Sequence, residues 1–180
     1  MTRATDNALP AGTVLGKSYE YGLDLNIGTT AAPIWRTVRK MFNFQLTPTP
    51  NTTDAQTYDD EGSQNNAVTG WNWALAFATQ VNRSGTTGKY LEEIEALFAR
   101  TKPNAKGATA QIEARWYHQP DSSEGGVPNP DDAGQGTATV TPGRANTGPD
   151  GAVEVQNWTL TGVGAYTPIV NPLTEDEPGA

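Results

Sequence analysis

Apolar and polar residues alternate along most of this chain, and the alternation divides it into strands. From Tyr19 to Gly28 the segment YEYGLDLNIG puts Tyr19, Tyr21, Leu23, Leu25 and Ile27 on one face and Glu20, Gly22, Asp24, Asn26 and Gly28 on the other, the period of two that a half-buried strand requires. Ile34–Leu46 repeats the pattern on even positions (Ile34, Val38, Phe42, Phe44, Leu46). Val68–Val81 does so on odd ones (Trp71, Trp73, Leu75, Phe77). Further strands are predicted at Gln111–His118, with Ile112, Ala114 and Trp116 inward, at Gly136–Thr141 and at Ala152–Val163. In the last, apolar parity moves from Val153 and Val155 to Trp158 and Leu160, which predicts a bulge near Asn157. One segment keeps a different period: GKYLEEIEALFAR, residues 88–100, spaces Tyr90, Leu91, Ile94, Leu97 and Phe98 as an amphipathic helix does. Thr86 or Thr87 is placed to cap it, its glutamates lie toward the N-terminal end, and Pro103 stops it. Tyr90, Ile94, Leu97 and Phe98 are the expected packing face.

Strands before and after a single helix predict a mainly β fold, a sandwich or barrel with one flanking α-helix. Between Thr47 and Gly70 the chain is polar and acidic, TPTPNTTDAQTYDDEGSQNNAVTG. As a connection of about 24 residues it far exceeds an ordinary hairpin loop of about 2–5, and it is read as a loop that orders only against a partner. Gly and Pro gather at the N-terminus, at residues 101–107 and at Gln119–Gly136, the last expected to be mobile.

Composition narrows the chemistry. The chain has 180 residues, 36% of them apolar, and a formal charge of −8, which suits one domain and opposes stable binding of phosphate backbones. With no cysteine, disulfides, thiol nucleophiles and thiolate metal sites are excluded. Residues 1–15 lack the apolar core of a signal peptide, and the longest apolar run, Trp73–Ala78, is too short to span a bilayer. The expected place of synthesis is the cytoplasm, with no membrane partner. The single histidine, His118, has no nucleophile motif beside it. Asp54, Asp59, Asp60, Glu61, Asp131 and Asp132 lack the spacing of a calcium loop. No phosphate-binding glycine motif occurs, and GVGAY at 162–166 reads as a turn. No catalytic residue, metal site or cofactor is therefore expected. Trp71, Trp73 and Trp116 fall on apolar faces, whereas Trp35 and Trp158 are candidates for a subunit contact or a carbohydrate-stacking platform.

Taken in order, an N-terminal arm, YEYGLDLNIG, a strand ending FNFQLTPTP, the acidic QTYDDEG, VTGWNWALAFA, the helix GKYLEEIEALFAR, and the closing strands IEARWYHQP and VEVQNWTLTGVG resemble the major tail protein, or tail tube subunit, of long-tailed bacteriophages. The resemblance implies an arm (1–17), a tail-tube β-sandwich (18–170) and an acidic tail (171–180). It implies six copies closing into a ring and rings stacking into a hollow tube that conducts DNA without binding it. It implies a virion location and, as partners, the tape measure, tail terminator and baseplate or distal tail proteins. The 47–70 segment would then bridge rings, with Tyr58 as anchor and Asp54, Asp59, Asp60 and Glu61 facing Arg36, Arg39 or Lys40 of a neighbour. Glu20, Asp24, Glu113 and Glu154, on polar faces of predicted strands, are the candidates to line the lumen, strand parity giving two faces but not which one points to the axis. A carbohydrate-binding sandwich using Trp35 or Trp158, and a jelly-roll hydrolase with paired carboxylates, are the competing classes.

Overall fold

A computed structural model describes residues 9–145 and 148–174. Residues 1–8 of the expected arm and 175–180 of the acidic tail lie outside them. Eight strands form one antiparallel sheet: β1 (Tyr21–Asn26), β2 (Trp35–Thr37), β3 (Met41–Asp54), β4 (Asn66–Gln80), β5 (Gln111–His118), β6 (Ala133–Ala145), β7 (Val155–Gly162) and β8 (Thr167–Pro168). The order across the sheet is β2-β1-β5-β6-β7-β4-β3, with β8 paired to β6. Among the described residues there is one α-helix, α1 (Glu92–Arg100), which follows β4.

The sheet curls on itself without closing. Trp73 of β4 and Trp116 of β5 are separated by β6 and β7 in the sheet, yet their rings lie 5.0 Å apart. Nearer the rims, Tyr21 of β1 stacks on Phe44 of β3 at 5.1 Å. Inside the curl sit Leu23, Leu25, Leu75, Phe77, Ile112, Ala114, Trp158 and Leu160, with Ile94 and Leu97 of α1. Burial of this apolar surface is the main stabilising term. Close approach of the rings leaves no room for side chains on the adjoining strands. A Cβ at Gly136 or Gly162 would lie 2.5 or 2.3 Å from Trp73, and one at Gly134 2.6 Å from Trp116.

The observed elements, three strand regions and the helix, depart from the predicted ones in informative ways. Ile34–Leu46 is two strands, β2 and β3, separated by a turn at Arg39–Lys40, where Lys40 has φ 57°. Ile34 and Phe42 are exposed as a result, while Val38 is buried. β1 is buried on both faces, because its polar face carries its own small layer. Asp24 accepts hydrogen bonds from Arg115 Nε (2.9 Å) and Tyr117 Oη (3.1 Å). The Arg115 guanidinium lies 4.6 Å from the Trp35 ring. Burial, and then the Asp24 charge, push the Tyr117 hydroxyl up to about 12.

β7 pairs with β4 and β6 in continuous register, so there is no bulge near Asn157. Its buried face is Gln156, Trp158 and Leu160. The apparent parity change arose because a buried position is held by a glutamine and because Val153 precedes the strand, exposed. α1 begins at Glu92, four residues later than expected. Gly88 has φ 68°, and Arg83 and Tyr90 form an isolated β-bridge that holds the preceding residues in a turn. Thr86 and Thr87 do not cap the helix; their amides donate to Ser84 Oγ.

The Gln119–Gly136 segment is anchored to the body near His118 and near Asn129. The side-chain amide of the fully buried Asn171 donates to His118 O (2.7 Å) and Asn129 O (3.0 Å), so the body takes in residues beyond 170. His118 Nδ1 accepts the Asn129 amide at 3.0 Å, and its Nε2 lies 3.9 Å from the Glu20 carboxylate. Both ring nitrogens thus face partners that fix the loop.

Candidate assembly interface

The segment 47–70 is a paired hairpin in this structure, not a loop that lacks structure on its own. β3 and β4 pair without interruption of the ladder's direction from Met41↔Thr79 to Asp54↔Asn66. Polar Thr, Asn and Gln residues form this ladder because backbone hydrogen bonds are indifferent to the side chain that carries them. Pro48 and Pro50 are tolerated because β3 is the rim strand. They are two residues apart, so their missing donors face the same open edge, and they blunt it against indiscriminate pairing.

β7 pairs with β4 only from Ala74 to Gln80. Beyond Ala74, residues 66–73 have β3 alone for a neighbour, so the hairpin projects from the body by about 25 Å at roughly 3.3 Å per residue. A register shift between Asn51 and Thr52 leaves Thr69 as an extra residue on β4, which brings Val68 to the same face as Trp71 and Trp73. The core face thus continues out along the projection. Trp73 is 2% exposed, but Trp71 is 52% and Val68 55% exposed. Trp71 is therefore not a core residue: it occupies a core parity at a height where the body has ended.

At the tip, residues 55–65 are organised by Asp60. Its carboxylate accepts from the Thr57 amide (2.6 Å), the Thr57 hydroxyl (2.9 Å) and the Asn65 side-chain amide (3.2 Å). The Thr57 amide, most of all, holds the Asp60 carboxyl below the ordinary carboxylate value. Asp54 accepts the Gln56 amide at 2.9 Å. Glu61 and Gly62 take positive φ (48° and 84°) to turn the chain back. This geometry leaves the carboxylates of Asp59 and Glu61 exposed without a hydrogen-bond partner among the described residues, and Tyr58 fully exposed.

Two of the three basic residues expected to face this tip, Arg36 and Arg39, are already engaged. Arg36 pairs with Glu92 at 3.1 Å. Arg39 makes a bidentate pair with the buried Glu93 at 2.9 and 3.0 Å, tying the β2–β3 turn to α1. Lys40 is exposed at that turn. Among the residues expected to line a lumen, Asp24 and Glu20 are buried, and the Lys17 amide donates to Glu20 at 2.8 Å. Glu113 is half-buried and accepts from Asn26 at 2.7 Å. Glu154 is shared by Arg83 (2.7 Å) and Arg144 (2.9 Å). The Phe98 ring meets Trp158 at 5.0 Å, and Tyr90 lies on Phe98 at 5.1 Å. Trp158 is core, 1% exposed, and presents no open stacking platform, while the Arg115 guanidinium lies over the half-buried Trp35 ring at 4.6 Å. Among the described residues no group of three or more His, Asp or Glu is placed to hold a metal ion.

The fold of the chain resembles that of chains solved within assembled particles. At 11% identity and a TM-score of 0.60, the chain superposes on a chain from the tail of an empty GTA particle solved with C6 symmetry, covering 87% of this chain and 100% of that one. At 9% identity and a TM-score of 0.52, it superposes on a chain from the six-fold symmetrised baseplate of the anti-feeding prophage, covering 87% and 97%. No family model and no curated protein matches the sequence. The fold is that of components of phage-like tail particles.

Proposed function

We propose that this protein is a tail tube subunit: six copies close into a ring, and rings stack through the β3–β4 hairpin into a hollow tube that passes DNA. The observation that carries the reading is the projecting hairpin. It extends a core face carrying Trp71 and Val68 into solvent, where a lone chain gains nothing from it. A second copy seated on that face would bury both side chains, with Tyr58 as a further aromatic anchor. The fold shared with six-fold tail particles supports the same reading. A ring repeats the −8 charge of each chain six times, which opposes adsorption of passing DNA. Glu113 is the remaining proposed lumen residue, since Asp24 and Glu20 are buried and Glu154 is held between two arginines. Tape measure, terminator and baseplate proteins would meet the tube at its axis and ends. Negative-stain microscopy of the concentrated protein tests this directly. Rings and tubes are expected, and a field of uniform monomer-sized particles at every concentration and salt would overturn it.

A further inference from the structure

The two ends of the β3–β4 ladder differ in charge. From Met41 through Asn82 there is no Lys, Arg or His, and the acids Asp54, Asp59, Asp60 and Glu61 all fall at or beside the tip. At the opposite end, β4, β6 and β7 finish together: Gln80 pairs with Val155, Ala145 pairs with Val155, and the Val81 amide donates to Glu154 O. That pole gathers Arg83 and Arg144 around Glu154 and the Tyr90 hydroxyl, which both guanidiniums also approach, at 3.2 and 3.4 Å. Two guanidiniums share one carboxylate and one neutral phenol, so the cluster keeps a positive charge and unused N–H donors. It does so on a chain whose total is −8. Beside Tyr90 lies a shallow depression of about 470 Å³ lined by Thr37, Arg39, Leu91 and Glu93 among others.

We infer that the acidic hairpin tip of one copy docks on the Arg83–Arg144–Tyr90 pole of the next. Asp59 and Glu61, whose carboxylates have no partner among the described residues, supply the negative charge, and Tyr58 enters the depression beside Tyr90. This rests on the tube reading and replaces Arg36 and Arg39, whose charges Glu92 and Glu93 already neutralise, as the principal receptor. The geometry suits repetition. β4 runs 15 residues between the poles, so a copy displaced along the strand by on the order of 50 Å brings tip onto base. A contact between different surfaces that repeats by translation extends a filament instead of closing. Because the attraction is ionic and at a rim, it should set register and weaken with salt.

The test uses charge exchange and cross-linking in the full chain. Asp59→Lys with Glu61→Lys, and separately Arg83→Glu with Arg144→Glu, should each raise the critical concentration for tube growth about tenfold or more, the factor given by about 1.4 kcal/mol. The four changes together should bring it back toward the wild-type value, a recovery that mere structural damage does not produce. The chain has no native cysteine, so Asp59→Cys with Arg144→Cys offers only those two thiols. A short bis-maleimide linker should then give ladders of chain multiples from assembled protein, and single-cysteine variants at most dimers. Tubes that form normally from both charge-reversed variants, or that never yield ladders, overturn this contact while leaving the tube reading intact. Wild-type protein that forms no tube overturns both.

Discussion

β3 and β4 each pass through two environments, and comparing the two halves of the same strands separates what folds this protein from what it offers to others. In the body half, from Ala74 to Gln80, β4 has neighbours on both sides, and Leu75 and Phe77 are buried. In the outer half, from Asn66 to Trp73, it has one neighbour, and its core-parity side chains face solvent beyond Trp73. The backbone ladder is the same throughout. What changes is the second layer, and with it the consequence of substitution.

The largest effect should come from the inner tryptophan. Trp73→Ala removes a ring packed on Trp116 and Tyr166 and leaves Gly136 and Gly162 facing a void. A loss of about 3–5 kcal/mol in urea denaturation is expected. Two residues outward, Trp71→Ala should change stability by less than about 1 kcal/mol, yet impair tube growth. Equal losses for the two would erase the distinction between body and projection.

Glu93→Gln comes next. It breaks the tie between α1 and the β2–β3 turn and should cost about 2 kcal/mol. That is below the roughly 3–5 kcal/mol for a fully buried pair, because more than half of Arg39 is in solvent. Burial alone would raise the Glu93 carboxyl, but the Arg39 hydrogen bonds outweigh it and hold the group below its ordinary value of 4.5. A depressed folded-state value means that the stabilisation is present above about 4.5 and is lost as pH falls below it. Acid melts should therefore converge for wild type and Glu93→Gln; parallel curves from pH 7 to pH 3 would contradict the pairing.

Replacing residues 55–65 by a two-residue turn should leave the melting temperature nearly unchanged, since the tip touches no core residue, while abolishing stacking. Normal tubes from that variant would make the tip decoration. The smallest effect belongs to Asp60→Ala. Amide exchange should quicken at Thr57 and its neighbours, with no change in exchange across β5, and a slowed or unaltered tip would refute Asp60 as its organiser.

Much of the body was legible in the sequence. β5 spans the predicted Gln111–His118, the inward set Ile112, Ala114 and Trp116 is buried, and Ile94 and Leu97 of the predicted helix reach the core. These elements read clearly because a side chain's burial follows its own parity when one face meets one core. The candidate interface was half legible. Its acidic tip stands out in composition, but the basic cluster proposed as its receptor comes from the ends of three strands and a turn far apart in sequence, and no periodicity links Arg83, Arg144 and Glu154. Asn171, which fixes the 119–136 loop, was equally invisible, since a single buried amide leaves no pattern.

By itself, then, the sequence determined which residues alternate, which one segment is helical, and how much charge the chain carries, because these are properties of neighbours along the backbone. Only the tertiary structure decided that the 47–70 segment is a ladder, where β4 leaves the body, and that the basic pole lies at the far end of the acidic hairpin. Strand pairing is made by backbone groups that every residue but proline supplies alike. The polar composition that suggested a loop therefore carried no information against a hairpin, and the pairing of distant strands settled it.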